Sequence, residues 1–380
     1  MIPYGRQNII DEDIAAVVEV MNSEWLTQGP GIAEFERAMA TYCYANHAVA
    51  VCNATAALHI SCLALEVGAG DLVWTSPNTF VASANCARYC GADVDFVDID
   101  PVTLNMSVAA LQDKLERAQK AGKLPKVVIP VHFSGLPCDM KAIHALSQQY
   151  GFRIIEDASH AVGAEYDGKP VGACQYSDIT VFSFHPVKII TTGEGGMALT
   201  NNPDIANRLA RLRSHGIAQK ADQMVKPPQG AWEYQQLELG FNYRMTNLQA
   251  ALGLSQLKRL PEFVAKRRSL ARRYHDLLAD MPVILPMRSE ESSWHLYAVR
   301  FPVEKRKKVF DAFRQADIWV QVHYIPVHTQ PYYVNLGFAW GNFPEAEKYF
   351  TQAISLPLYF DLGFADQDHV VHSLKSFLKD

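Results

Sequence analysis

The sequence predicts an α/β chain, a doubly wound, mostly parallel sheet followed by a second, smaller α+β domain. Three observations predict it. Over the first 215 residues, short runs rich in Val, Ile and Phe alternate with stretches of helical period. Several runs are apolar almost throughout, as in a sheet covered on both faces. After residue 216 the alternation lapses, and short strands then mix with helices.

The elements follow in order. Ile14, Val17, Val18 and Met21 recur at helical spacing, as do Phe35, Met39 and Tyr42. The predicted strands are residues 48–52, 71–76, 93–99, 126–133, 152–158, 179–184 and 196–200. Met140, Ile143 and Leu146 line a helix that Asp139 can cap. Residues 216–240, with Pro-Pro, Gly and many Gln, show no period and predict a long excursion. A long helix is expected over roughly 246–279, capped by Thr246 or Asn247. Strands at LYAVRFP and IWVQVHYIP and helices over 305–315 and 344–353 complete the tail. The expected domains are 1–245 and 246–380.

The chain of 380 residues can bury a large core without disulfides. Its 35 Lys and Arg against 40 Asp and Glu leave a net charge of −5. With no basic run, nucleic acid and anionic membrane surfaces are poor partners. The apolar stretch from Ala48 to Val67 is broken by Asn53, Thr55, His59 and Ser61, so no membrane span is expected. The start, MIPYGRQNIIDEDI, has no basic-then-apolar leader. The seven cysteines form no CxxC and sit in apolar runs, which predicts buried free thiols in a reducing, cytoplasmic setting.

Sites in doubly wound folds lie at the carboxyl ends of strands. In AVAVCNATAALHIS a strand runs into Asn53, Ala54, Thr55, Ala56 and Ala57 at a helix start. Small side chains there let backbone N–H groups reach an anion such as phosphate, although such residues also serve simply as caps. FRIIEDASHA delivers Glu156 and Asp157 at a strand end, with His160 after them. An Asp so placed can keep a heterocyclic nitrogen protonated; a His–carboxylate metal site is the rival reading. VFSFHPVKIITTGEGG sets Lys188 among Val187, Ile189 and Ile190. Desolvation lowers a lysine pKa and favours the neutral amine needed for a Schiff base, unless the head reaches water. In GFNYRMTN, Asn242 and Arg244 precede a helix, where Arg244 can meet an anionic substrate or be merely solvated.

Together, a phosphate cup, an acid and a flanked lysine 31 residues after it fit pyridoxal 5′-phosphate (PLP), with no metal. Phe80, in SPNTFVAS, can stack on the cofactor ring or belong to the core.

These motifs resemble the DegT/DnrJ/EryC1/StrS sugar aminotransferases, fold-type I PLP enzymes, from LTQGP (26–30) to ISLPLY (354–359). The resemblance implies Lys188 as the Schiff-base lysine, Asp157 as partner of the pyridine nitrogen and His160 beside the ring. Ala54, Thr55 and Ser183 would hold the phosphate, and Phe80 would cover the ring. Asn242 would reach the phosphate in the other subunit, so a homodimer with a shared active site is implied. Closer segments, IPYGRQNI, LRSHGI, SSWHLYAVRF and VQVHYIPVH, resemble members that serve pseudaminic acid biosynthesis. The substrates then implied are L-glutamate and a UDP-4-keto-6-deoxy sugar, with amination at C4. His323, Tyr324 and His328 are candidates at the sugar-nucleotide mouth, or a structural strand end with surface histidines. Other UDP- or TDP-linked keto-sugars, a dehydratase and a non-catalytic sugar-nucleotide binder are the alternatives. Lys188 speaks against the dehydratases, in which histidine replaces the lysine, and the Lys188–Asp157 pair against a mere binder.

Overall fold

The computed structural model describes residues 1–379. All seven predicted strand runs meet in one sheet. They are β1 (His47–Val51), β2 (Leu72–Thr75), β3 (Asp93–Phe96), β4 (Val127–Ile129), β5 (Arg153–Asp157), β6 (Ile179–Ser183) and β7 (Gly196–Thr200). The order across the sheet is β1-β7-β6-β5-β4-β2-β3. Only β7 runs antiparallel, pairing Gly196 with both Val51 and Ser183. Val51, Asp157 and Ser183, each the last residue of its strand, therefore lie along one edge. Every residue of β6 and β7 is buried, as expected for strands covered on both faces.

The strands are shorter than their apolar runs. β4 stops at Ile129 because Pro130 has no N–H for the ladder. The helices carry caps readable in the sequence: Asp139 accepts from Ala142 N–H at 3.3 Å, and Thr246 forms a capping box with Gln249.

One expectation is corrected, and two regions show what the sequence left open. The helix of 246–279 is two, Asn247–Lys258 and Leu260–Leu277, meeting at Arg259 where Pro261 opens the second. The stripe on helix Asp11–Met21 does not face the core. Ile14 is 53% and Met21 62% exposed, whereas Asp13 is buried, bonded to Gln256 Nε2 at 2.7 Å. The excursion has structure of its own. Ile217–Ala218 pairs antiparallel with Gln235–Gln236, and Val225, Trp232, Tyr234 and Leu239 stay exposed. The ribbon closes at Gly216 and Gly240. A Cβ on Gly216 would fall 1.8 Å from the Glu238 carbonyl oxygen, and Arg211 Nε holds the Glu238 carboxylate at 2.6 Å.

A second core gathers around Leu270, Tyr274, Tyr297, Val309, Phe313 and Ile354. It contains the antiparallel pair Tyr297–Arg300 with Ala353–Leu356, and a final helix, Phe364–Lys379. The N-terminal Ile2–Pro3 pairs with Ile318–Trp319, which brings Tyr4 to the cavity at the edge of the seven-stranded sheet. The expected boundary at 245/246 falls just before Asn247–Lys258, a helix packed on Asp11–Met21 and Pro30–Cys43. All seven cysteines are free thiols; Cys52 and Cys90 are half-buried and the rest buried. No helix among the described residues is long and apolar enough to cross a membrane.

Candidate active site

A cavity of about 450 Å³ opens at the carboxyl edge of the sheet. Its floor begins where β1 hands over to helix Ala54–Ala64. Asn53 caps that helix, its side chain accepting from Ala56 N–H at 2.8 Å. Ala54, Thr55 and Ser183 line the cavity beside this helix entrance. The first N–H groups of a helix lack intrahelical acceptors and sit at the positive end of its dipole, so the spot suits an anion. Gly196 lets β7 close on the cap: a Cβ there would meet the Asn53 carbonyl carbon at 2.5 Å.

The acid on the cavity is Asp157. Its Oδ2 accepts from Ser83 Oγ at 2.6 Å, and its Oδ1 accepts from Ser159 N–H at 3.1 Å and Oγ at 2.6 Å. Glu156 takes no part. Side chains alternate along a strand, and its carboxylate meets His132 Nε2 at 2.7 Å and Thr180 Oγ1 at 2.9 Å. Burial opposes charge on His132, but bonds to Cys138 and Glu156 outweigh it and carry its pKa up to about 10. Glu156 is therefore paired away from the cavity, and the His–carboxylate metal reading loses it as a ligand. Among the described residues no group of three or more His, Cys, Asp and Glu is placed to hold a metal ion.

Lys188 enters the cavity on a turn tied down by its own sequence. Thr191 Oγ1 donates to the Phe184 carbonyl at 2.9 Å, Gly193 N–H to Thr191 Oγ1 at 2.9 Å, and Thr192 Oγ1 to the Glu194 carbonyl at 2.6 Å. Gly193 adopts φ +79°, open to glycine at little cost. Ile189 and Ile190 anchor the turn in the core, while Val187 and Lys188 face the cavity. Burial pushes the Lys188 ammonium down to about 8, against the pull of the Asp157 carboxylate.

Aromatic rings make the remaining wall. Phe80 is 58% exposed at the mouth, which settles against a core phenylalanine. Tyr324 stands 6.2 Å from it by ring centroids, and its hydroxyl is 3.0 Å from His160 Nε2. His323 Nδ1 bonds Ser355 Oγ at 2.9 Å, and Tyr4 packs on its ring at 5.2 Å. Burial holds His160 well below the ordinary histidine range and His323 down to about 3, with Lys188 adding to both.

The fold thus assembles Lys188, Asp157, His160, Ala54, Thr55, Phe80, Ser183, His323 and Tyr324 on one cavity. It leaves three candidates out. His328 is no mouth residue: it is buried on the turn after Pro326, bonded to Glu347 Oε1 at 2.9 Å and packed on Phe343. Asn242 is exposed, bridged through its backbone to Ser214. Arg244 pairs with Val51 and does not line this chain's cavity. The motifs missed Ser83, Ser159 and Tyr4. A serine two residues after a strand-end Asp is a readable signal for Ser159, since Asp side chains commonly accept from the N–H two residues on. Nothing local pointed to Tyr4.

Strand order, the lone antiparallel β7 and a lysine and an acid lining one cavity at this edge define the class: fold-type I enzymes that use PLP. The cofactor fits the residues present, with an anion site for its phosphate, an amine for its aldehyde and a fixed carboxylate for its ring nitrogen. Residues 7–375 match the DegT/DnrJ/EryC1/StrS aminotransferase family, and the chain belongs to it. It is 37% identical to the spore coat polysaccharide biosynthesis protein SpsC of Bacillus subtilis, covering 100% of this chain and 97% of that protein. Among solved structures, Helicobacter pylori PseC, an aminotransferase involved in the biosynthesis of pseudoaminic acid, superposes with a TM-score of 0.91. It is 29% identical, over 100% of this chain and 99% of that one. Spr1654 of Streptococcus pneumoniae in its PMP form gives a TM-score of 0.90 at 31% identity, over 100% and 99%. Its PLP form gives 0.89 at 30% identity, over 100% and 98%. The chain is a PLP-dependent sugar aminotransferase.

Proposed function

We propose that the enzyme moves an amino group from L-glutamate to C4 of a UDP-2-acetamido-2,6-dideoxy-4-ketohexose, giving UDP-4-amino-4,6-dideoxy-N-acetyl-β-L-altrosamine. The observation that carries the chemistry is Lys188 and Asp157 on one cavity. The choice of sugar is supported by the sequence segments shared with enzymes of pseudaminic acid biosynthesis and by the structural likeness to PseC.

When bound, PLP supplies an electron sink for moving protons at the amino-bearing carbon. Ala54, Thr55 and Ser183 hold its phosphate, and Phe80 and His160 flank its ring. Asp157, its oxygens held by Ser83 and Ser159, faces the ring nitrogen as a carboxylate. Lys188 Nζ, its ammonium brought down to about 8 by burial, takes up and returns the proton at the reacting carbon. His323 and Tyr324 meet the sugar nucleotide at the mouth.

The site belongs to a homodimer in this reading. Asn242 is exposed and away from its own cavity, free to reach the phosphate site of a second copy, and Arg244 follows it toward that copy's substrate. The exposed stripe of Ile14, Val18 and Met21 offers apolar surface for association. Free thiols throughout suit the cytoplasm.

A second reading keeps the chemistry and changes the sugar to another UDP- or TDP-4-keto-6-deoxy hexose, favoured by the identity to SpsC, a polysaccharide biosynthesis protein. A panel of UDP- and TDP-4-keto-6-deoxy sugars, with glutamate as donor and NMR of the product's C4 configuration, separates the two. Preference for a TDP sugar, or the epimeric amine, overturns the first.

A further inference from the structure

Asn242 and Arg244 stand on a segment that aromatic rings seat on its own chain. Phe241 and Tyr243 stack on each other, with ring centroids 4.9 Å apart and planes at 13°. Both pack on the buried ring of His59, at 4.7 and 6.0 Å, and Tyr89 meets the same ring edge-on at 5.5 Å. His59 Nδ1 shares a hydrogen bond with the Tyr243 hydroxyl at 3.3 Å. Stacked rings contribute beyond the area they bury, and the hydroxyl adds a directional contact.

The backbone holds the same register. Phe241 N–H donates to the Leu212 carbonyl at 2.7 Å, and its carbonyl accepts from His215 N–H at 2.9 Å. Tyr243 N–H donates to the Arg213 carbonyl at 3.0 Å, and its carbonyl accepts from Cys52 N–H at 2.8 Å. Antiparallel bridges join Asn242 to Ser214 and Arg244 to Val51. Along such an extended run, alternate side chains take opposite faces. Phe241 and Tyr243 turn to His59, which leaves Asn242 and Arg244 the other face. Asn242 is exposed there, and neither residue lines its own chain's cavity. A slip of one residue would exchange the faces, setting the Asn242 amide on the rings and both aromatics in water.

His59 lies on helix Ala54–Ala64, whose entrance forms the anion site of the same chain. We propose that His59, Phe241 and Tyr243 are positioning residues: they fix the register of the segment and so aim Asn242 and Arg244 at the phosphate and the substrate held by a second copy. This rests on the shared-site reading of Asn242.

The ring cluster acts on the segment that its own chain lends. Its loss therefore damages the neighbour's site and spares its own, whereas a merely structural fault in helix Ala54–Ala64 damages the site on that helix. A heterodimer with one Lys188→Ala chain holds a single site that can take a pyridoxyl label. Borohydride trapping at rising PLP concentrations reads PLP affinity at that site alone, without turnover. His59→Leu is placed first on the Lys188→Ala chain, which lends its segment to the labelled site, and then on the chain that keeps Lys188. Half-maximal labelling should need about two- to tenfold more PLP in the first placement, and no more than the unsubstituted heterodimer in the second.

Asn242→Asp, placed in the same two ways, reports on the shared site itself. If it weakens labelling only on the chain that keeps Lys188, or in neither placement, Asn242 does not cross between chains. The shared-site reading then fails and takes this inference with it. If Asn242→Asp acts across the dimer while His59→Leu weakens labelling equally in both placements, more on the chain that keeps Lys188, or in neither, the inference is overturned and the shared site stands. If His59→Leu does not fold, Tyr243→Leu, an apolar replacement at a half-buried position, takes its place and the same outcomes decide.

Discussion

Ser83 Oγ donates to Asp157 Oδ2 at 2.6 Å and joins helix Ala82–Tyr89 to the last residue of β5. Thr79 Oγ1 is 2.7 Å from the same hydroxyl, and Ser159 covers the other carboxylate oxygen. Asp157 is thus aimed before any ligand arrives. Hydrogen bonds to a charged group contribute about 1.5–3 kcal/mol each, so a fixed direction is the expected state of this side chain.

Asp157→Asn should keep the shape and lose the charge that favours a protonated ring nitrogen. kcat should drop by about two orders of magnitude or more, with an unchanged circular dichroism spectrum. Ser83→Ala removes one of the bonds and should cost about tenfold. Near-normal turnover in purified Asp157→Asn would rule out its role at the ring nitrogen.

Lys188 should react as an unusually acidic lysine. In cofactor-free protein its labelling by an amine reagent should rise with a midpoint of about 8, whereas a free lysine titrates near 10.4. Between about 8 and 10.4 the unfolded chain binds the proton that the folded chain has released, so stability gains from this group as pH rises through that window. Lys188→Met should lack that rise. Borohydride reduction of the PLP-loaded enzyme should leave the pyridoxyl label on residue 188, and a label on any other lysine sinks the assignment. Lys188→Ala should lose turnover yet can still hold PLP through its phosphate.

The His132–Glu156 pair makes a structural prediction. Both side chains are buried, and removing one partner strands the other. His132→Ala should lose about 3–5 kcal/mol of stability in denaturant unfolding. His132 titrates near 10 when folded and near 6.5 when unfolded, so its contribution is complete below about 6.5 and fades as pH rises to 10. A gap between wild type and variant that widens toward pH 10 would contradict the pairing.

Much of this molecule was readable from residue order. The sheet strands announced themselves because most are short runs of Val, Ile and Phe, as strands covered on both faces require, and the lysine turn because Thr191, Thr192 and Gly193 bond locally. What the sequence hid is long-range or directional. His323 and His328 sit five positions apart, yet Pro326 and the turn after it send one to the cavity and the other to Glu347. Tyr4 reaches the site from position 4 to pack on His323, and no local period encodes such a meeting. The stripe on Asp11–Met21 has the period of a buried face but is exposed in the single chain, because periodicity marks an apolar face without naming what covers it.

A shared active site makes the sharpest demand. Asn242 is exposed at the foot of the 216–240 ribbon and lies off its own cavity, so a phosphate contact from it has to cross to a second copy. Lys188→Ala should be inactive as a homodimer, and Asn242→Ala impaired by up to about tenfold. After mild dissociation and mixing, a heterodimer would hold one site with both residues intact and one with neither. Half of the heterodimer's sites should therefore regain activity. The design needs Asn242→Ala to be deeply impaired, and one neutral hydrogen bond contributes only about 0.5–1.5 kcal/mol, roughly tenfold at most. A bulkier Asn242→Asp adds charge repulsion against the phosphate and deepens the loss. If that variant is inactive, and heterodimers verified by mass regain nothing, Asn242 does not bridge the subunits. Recovery to about half the wild-type activity per heterodimer would establish that Lys188 and Asn242 at one site come from different chains.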